Sequence, residues 1–361
     1  RGYIRSLLEV YATSDDEADK VASPSKEKCE RLHYKKDFHI DVPAYTLIDK
    51  RHMLAVLPNE WEHSDPRKMY LWFKQVCENV RDGGQLRRFI QYFKNWSAQK
   101  FSDLDKEYQP SSIMLTVLVA NAYVILNHMM PNADDDGFTL IANKVLSKLN
   151  TSSSVPNPVD SSEDLNRLSD EGFQHFVNEL TELKSISIAA GKTNSRFYAS
   201  RIWEKAFGHF FPIDAESYSD EKLPARITPE IEIDVLSERN GSAFITGAKN
   251  AVSSVPKNCW LNFRITNSEN MPLGCTVEWT VRNSGNEAMN TNDMGHRSTG
   301  QNLFEHQERT AYHGTHYMDC SVYDTFGELY SFRRIPVSIL SRTLQQIRQP
   351  TRHNYRNYGK R

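Results

Sequence analysis

The stretch HYKKDFHIDVPAY, residues 33–45, sets the first constraint on the fold. A three-residue loop at Lys35-Lys36-Asp37 predicts a β-hairpin in which the numbers of paired residues sum to 72. That register places Tyr34 opposite Phe38 and Leu32 opposite Ile40 on one apolar face, with Arg31 opposite Asp41 on the other. A slip of one residue would carry each of these side chains to the wrong face. Aspartate is disfavoured within strands, so Asp41, followed by Val42-Pro43, calls for a nearby cation, either a metal ion or a basic side chain. An ordinary Arg31/Asp41 ion pair on a wet sheet face also satisfies the pattern.

Working outward, residues 1–65 combine a short helix at Ile4 to Tyr11, an acidic segment and the strand-like run CERLHYKKDFHIDVPAYTLI. From Pro66 to about Pro131 the apolar spacing turns helical, with Leu86, Phe89, Ile90 and Phe93 at i, i+3, i+4 and i+7. The apolar stretch Ile113 to Leu126 is shorter than the ~20 residues that span a bilayer and contains Asn121, so it reads as a buried core helix. Asn150 to Asp164 has loop composition, and its Ser/Asp-rich end can cap the next helix. Helices resume from Leu165 to Phe211, closing a helical lobe over 66–213. A linker follows at 214–230.

Beyond the linker the period changes to two. Cys259, Leu261, Phe263 and Ile265 alternate with Trp260, Asn262, Arg264 and Thr266, and Cys275, Val277, Trp279 and Val281 repeat the pattern. Several such strands within 231–340 predict a β-sandwich, with turns at Asn240-Gly241 and Ser284-Gly285. The stretch 341–361 has no acidic residue and six Lys or Arg, and reads as a disordered basic tail. The fold class is therefore α+β. A formal net charge of -2 gives no whole-protein field toward nucleic acid or membrane. Five widely spaced cysteines without a CxxC pair argue against a disulfide scaffold or a zinc ribbon and fit a cytoplasmic protein with reduced thiols. The start, RGYIRSLLEVYATSDDEADK, lacks the continuous apolar run of a signal peptide.

FHIDVPAY resembles the third-carboxylate strand of polymerase-β-like nucleotidyltransferases, in particular the CD-NTases, the bacterial relatives of the cyclic GMP-AMP synthases. WEHSDPRKMYLWF, LRRFIQYFKNW, QPSSIML and VPNPVDSSEDL agree in order, so the resemblance covers residues 29–211. It implies an incomplete nucleotidyltransferase core over 1–65 followed by the helical lobe. Asp41 would then be a metal carboxylate, holding Mg2+ or Mn2+, that helps to orient and deprotonate the attacking ribose hydroxyl. Arg31, Lys94 and Ser112 would face the nucleotide phosphates, and Ser64 and Asp160 would read the acceptor base. Each has an ordinary alternative. Lys94 can be a helix-face lysine with a packed stem, either serine of Ser111-Ser112 a helix cap, Ser64-Asp65-Pro66 a cap, and Asp160 a loop residue.

SERNGSAFITGAKN, PKNCWLNFRITN, CTVEWTVRNSGNEA, NDMGHR and TAYHGTHYMDC resemble the sensor domain at the C-terminus of adenylyl/guanylyl cyclases and SMODS synthetases, AGS-C. Exposed groups from Asn292 to Arg297, with Tyr312, are a candidate pocket for its unknown ligand. His313, His316 and Cys320, with His296 elsewhere, are poorly spaced for a metal, since His313 and His316 would point to opposite faces of a strand. The whole implies synthesis of a cyclic dinucleotide from ATP and GTP in antiphage defence, with a separate effector reading the product and no membrane partner. The alternatives are a non-cyclising transferase and a catalytically silent nucleotide-binding sensor or scaffold. The discriminating motif, Gly-Ser followed by Asp-x-Asp, does not occur; Asp15-Asp16 and Asp134-Asp135-Asp136 are read as polar loops. With no initiator Met and Asp41 intact, the expectation is that this motif lies upstream of Arg1, and that the chain alone is inactive.

Overall fold

Six short strands follow the first helix: α1 Gly2–Ser14, then β1 Ala18–Val21, β2 Glu30–Tyr34, β3 His39–Val42, β4 Tyr45–Ile48, β5 Arg51–Val56 and β6 Glu60–His63. They form two antiparallel sheets, β1-β2-β3 and β4-β5-β6. This computed structural model describes residues 1–35, 38–209, 211–218 and 226–348. The β2/β3 register is the expected one, with Arg31 opposite Asp41 and Leu32 opposite Ile40. Tyr34 donates its amide to Phe38 O at 2.9 Å, and their rings stack at 4.4 Å. The tip residues Lys36 and Asp37 lie outside the described residues. The apolar face is covered on one strand only: Leu32 is 2% exposed, Ile40 46%. Glu30 shares the face of Leu32 and is also buried, its carboxylate met by Arg1, Arg5 and Ser25. An acid there is tolerated because two guanidiniums and a hydroxyl replace its water.

Helices follow at α2 Pro66–Asn79, α3 Gly83–Phe101, α4 Ser112–Leu126 and α5 Asp134–Thr151. Each of the first three starts at a side-chain cap: Asp65, Asp82 and Ser111 accept from the free amides of the first turn. The α3 stripe Leu86, Phe89, Ile90 and Phe93 is buried, with Trp96, Tyr123, Phe138 and Phe176 packed around it. α4 is apolar nearly all round and packs on α2, α3 and α5. Extended by its flanking turns, Lys106–Met129 is long and apolar enough to cross a membrane by composition. Burial of Met114, Val117, Val119 and Tyr123 is what makes α4 a core helix.

Three expectations need correction here. Asp134-Asp135-Asp136 is not a loop but the first turn of α5, where carboxylates offset the helix dipole. The segment 150–164 is not loop throughout: α5 runs to Thr151, and β7 Pro156–Asn157 pairs with β8 Asp160–Asp164. Helices resume at Asp170, not Leu165, with α6 Asp170–Lys192 capped by the Ser169 hydroxyl, which accepts from Gly172 N. Leu165 is instead buried, its amide donating to Val155 O at 2.8 Å.

The chain divides into two compact units within α6, Arg1–Lys184 and Ser185–Arg361. The second unit holds α7 Arg196–Phe207, then β9 Ile231–Leu236, β10 Ala243–Lys249, β11 Val252–Lys257, β12 Trp260–Ile265, β13 Thr276–Arg282, α8 Asn286–Asn290, β14 Arg297–Gln301, β15 Glu305–Arg309, β16 Gly314–Tyr323, β17 Leu329–Thr343 and α9 Leu344–Arg348. Its strands make a four-stranded sheet, β10-β9-β12-β15, and a five-stranded sheet, β11-β17-β16-β13-β14. Ile233, Leu261 and Phe263 from the first and Val277, Trp279, Cys320 and Ile335 from the second share one core. The expected sandwich is present, and the fold is α+β. The turn residues Asn240 and Gly285 take positive φ of 57° and 91°, the conformation that selects Asn and Gly.

The change of unit falls earlier than the change of period at 213/214. Phe197 of α7 and Ile213 are buried with Phe332 of β17, and Tyr218 packs against them. Residues 219–225 of the expected linker lie outside the described residues. The tail also starts later than expected, because β17 continues to Thr343 and α9 to Arg348; residues 349–361 lie outside the described residues.

Asp319 on β16 is fully buried, accepting from Arg282 Nε at 2.5 Å and from Arg334 Nε at 2.7 Å. Replacing it with alanine takes away the carboxylate that pairs with Arg334 and one of the two that meet Arg282, in a largely buried site. Asp319→Ala should therefore destabilise the protein by about 3 kcal/mol or more, read as a lower urea midpoint. An unchanged midpoint would show that the cluster contributes nothing to stability.

Candidate functional site

Asp41 is presented by β3 on the face away from Leu32, and Arg31 of β2 grips it in a two-pronged pair. Nε meets Oδ1 at 2.7 Å and a terminal nitrogen meets Oδ2 at 2.9 Å. The pair is half exposed, with side-chain accessibilities of 24% and 41%. The hydrogen bonds from Arg31 hold the Asp41 carboxyl below the usual aspartate range, and Asp41 in turn raises the guanidinium. Cys29 stands beside them. Burial first, then the Asp41 charge, pushes its thiol up, and sequence reading gave no sign of this neighbour.

The other expected residues divide into two groups. Lys94 on α3 is half-buried and makes no hydrogen bond or ion pair among the described residues; burial pulls its ammonium pKa down. Ser112 opens α4 with an exposed side chain, because Ser111 takes the capping role. An unpaired ammonium and a free hydroxyl at a helix start are chemically suited to phosphate. Ser64 follows β6, its hydroxyl 3.4 Å from the Tyr45 hydroxyl, and the cap of α2 is Asp65 instead. Asp160 begins β8 rather than lying in a loop. Its carboxyl is held down by the Ser162 hydroxyl at 2.6 Å and the Ser162 amide, with further lowering from the charges of His63 and Lys68.

Around Asp41 the described residues do not complete a divalent-cation site. Arg31 occupies both of its oxygens, and no set of three or more His, Cys, Asp or Glu donors that includes Asp41 gathers among the described residues. One carboxylate is too few for a hard cation held by several oxygens.

The second unit contains a cavity of about 530 Å3, whose charged lining residues are Arg201, Glu204, Lys205, Arg226, Arg297 and Glu328, with Tyr323 beside them. Arg201 pairs with Glu204 at 2.7 Å and with Glu278 at 3.1 Å, while Arg297 meets Glu204 at 2.7 Å. Of the stretch expected to form a pocket, only Arg297 lines this cavity. The Tyr312 hydroxyl instead donates to Asp293 Oδ2 at 2.7 Å, closing that loop on itself. His316 and Cys320 are buried in or near the core and form no ligand set with His313.

Residues 210–340 match the family described as the Adenylyl/Guanylyl and SMODS C-terminal sensor domain. Over 341 residues, 93% of this chain and 73% of the other, the sequence is 29% identical to a cyclic GMP-AMP synthase of Escherichia albertii. The chain is thus similar to bacterial cyclic-dinucleotide synthases, and residues 210–340 match this sensor domain. It is also similar to a c-di-GMP synthase of Roseivirga ehrenbergii, 26% identical over 196 residues that cover 45% of this chain and 50% of that one. Among solved structures it is similar to the Vibrio cholerae di-nucleotide cyclase in complex with ATP and GTP, at 20% identity and a TM-score of 0.46 over 56% of each chain. An Escherichia coli counterpart bound to 3'-deoxy GTP gives 25% identity and a TM-score of 0.45, over 56% of this chain and 54% of that one. The chain thus spans just over half the length of these structures.

The Arg31–Asp41 pair carries a defined pH signature. A depressed carboxyl contributes stability that is present above its unfolded value of about 3.9 and is lost as pH falls through the lower folded value. Solvent screening keeps the stability contribution at roughly 0–1 kcal/mol. The Asp41 carboxyl resonance should titrate below the ordinary aspartate range, and in Arg31→Ala its midpoint should rise. An unmoved midpoint would mean that Arg31 does not hold Asp41 ionised.

Proposed function

We propose that this chain supplies the third-carboxylate strand, the helical lobe and the sensor domain of a nucleotidyltransferase that joins ATP and GTP, or two like nucleotides, into a cyclic dinucleotide. The observation carrying this reading is the similarity to a cyclic GMP-AMP synthase over 341 residues, which takes in the Asp41 hairpin and the sensor domain together. Asp41 orients the attacking ribose hydroxyl. A carboxylate held below the usual range is a weak base, so orientation is a larger part of its role than proton removal. Arg31, Lys94 and Ser112 bind the triphosphate, and Ser64 with Asp160 reads the acceptor base. The cationic cavity of the second unit takes an anionic ligand that regulates synthesis, and the product acts on a separate effector in antiphage defence.

The competing reading is a silent nucleotide-binding scaffold, favoured by the Arg31 guanidinium on both oxygens of Asp41. The two separate in one experiment. Labelled ATP and GTP are incubated with Mg2+ or Mn2+ and either the 361-residue chain or the product of the complete reading frame. The 361-residue chain should bind nucleotide weakly and make no cyclic product, because it contains no Gly-Ser with Asp-x-Asp to join Asp41. The complete product should be active, and Asp41→Ala should lower its rate about 100-fold or more. Cyclic product from the 361-residue chain would mean that its own acids assemble the site. Activity surviving Asp41→Ala would remove Asp41 from catalysis, and an inactive complete product would favour the scaffold.

A further inference from the structure

The sandwich gathers a set of metal-type donors far along the chain from Asp41. His306 and Glu308 are two residues apart on β15, so both side chains leave the same face. His296 stands one residue before β14. β14 is an edge strand of the five-stranded sheet and β15 an edge strand of the four-stranded sheet, so the three donors come from the margins of both sheets. His296 Nε2 lies 2.8 Å from Glu308 Oε2, and His306 Nε2 lies 3.5 Å from the same oxygen. All three donor atoms fall within 4.8 Å of one another.

The surrounding side chains aim these atoms at a common point. The other Glu308 oxygen, Oε1, accepts from Arg309 N at 2.9 Å, which turns Oε2 toward the imidazoles. The His306 ring lies nearly parallel to Trp279, at 15° and 6.1 Å, and Trp279 is itself fixed by donating Nε1 to Leu303 O at 2.9 Å. On the other side, the chain passes tightly against β13 before presenting His296. Gly295 has φ 120°, and a Cβ there would stand 2.0 Å from Val281 O. A simple His–Glu hydrogen bond accounts for His296 and Glu308. It does not account for His306 Nε2, which is buried and has only the long 3.5 Å approach to the same Glu308 oxygen, with no well-formed hydrogen bond among the described residues.

We propose that His296, His306 and Glu308 bind a divalent transition cation, with zinc the best match. Two imidazoles and a carboxylate are a zinc donor set; magnesium and calcium favour all-oxygen shells, and soft copper or iron–sulfur centres need sulfur ligands. Donors about 2.1 Å from a tetrahedral ion stand about 3.4 Å apart, close to the spacing already present. The ion gives the buried His306 nitrogen a full partner and ties the β14 edge of one sheet to the β15 edge of the other. His296 is 52% exposed, so the fourth position faces solvent and is open to water or an external ligand.

The test uses the untagged 361-residue chain, stripped with a chelator and titrated with zinc chloride against a chromophoric competitor, with thermal unfolding followed in parallel. One tightly bound zinc per chain is expected, together with a rise in Tm. His296→Ala, at a half-exposed position, and the nearly isosteric Glu308→Gln should each weaken zinc binding by more than the about 10–100-fold that loss of a merely supporting partner costs. Both should abolish the rise in Tm while circular dichroism stays unchanged, and His313→Ala, an exposed histidine outside the cluster, should leave binding and Tm shift intact. Zinc affinity equal in wild type, His296→Ala and Glu308→Gln would overturn the site, as would absence of bound zinc or its loss in His313→Ala.

Discussion

A carboxylate taken out of water must be met by cations and donors, and the second unit is organised around two that are. Asp319 is held by Arg282 and Arg334. Glu204 of α7, 5% exposed, accepts from Arg282 at 2.8 Å and Arg297 at 2.7 Å and pairs with Arg201. Arg201 reaches on to Glu278 of β13. The outer face of β13 is therefore buried as well as its core face, which breaks the alternation that β12 keeps. It also binds α7 to the sheet, so a helix that reads as the end of the helical lobe packs with the sandwich instead. Such networks add little over a well-packed apolar core but are costly to break one partner at a time.

The same network lines the cavity of about 530 Å3. Arg201 and Arg297 are largely engaged by Glu204 and Glu278, while Lys205 and Arg226 add positive charge to its wall. The wall of the cavity thus shares Arg201, Glu204 and Arg297 with the network that holds α7 in place.

The Arg31–Asp41 pair applies the same chemistry in a wet setting, with a different consequence. Solvent screens it, so its contribution to folding is small. What the hairpin contributes is position, because the antiparallel register fixes the carboxylate on one face with its charge defined. Lys94 on α3 is a separate case: partial burial with no ionic partner among the described residues leaves an ammonium whose charge is costly until an anion arrives.

The hairpin register, the α3 stripe, the caps at Asp65 and Ser111 and the sandwich were legible in the sequence, because each follows from local period and from residues close in the chain; the Ser/Asp-rich end of 150–164, expected to cap the next helix, does not, and Ser169 does. Pairing Arg31 with Asp41 needed only a turn length and a period of two. Contacts between distant residues were decided by the tertiary structure alone. Arg201 with Glu278, Asp160 beside His63 and Lys68, and His296 with His306 and Glu308 carry no local pattern that ranks them above other pairs. His296 illustrates the limit: sequence grouped it with His313 and His316 by residue type, and sheet packing gave it different partners. Side-chain period tells which face a residue occupies; only the packing of whole elements determines what that face meets.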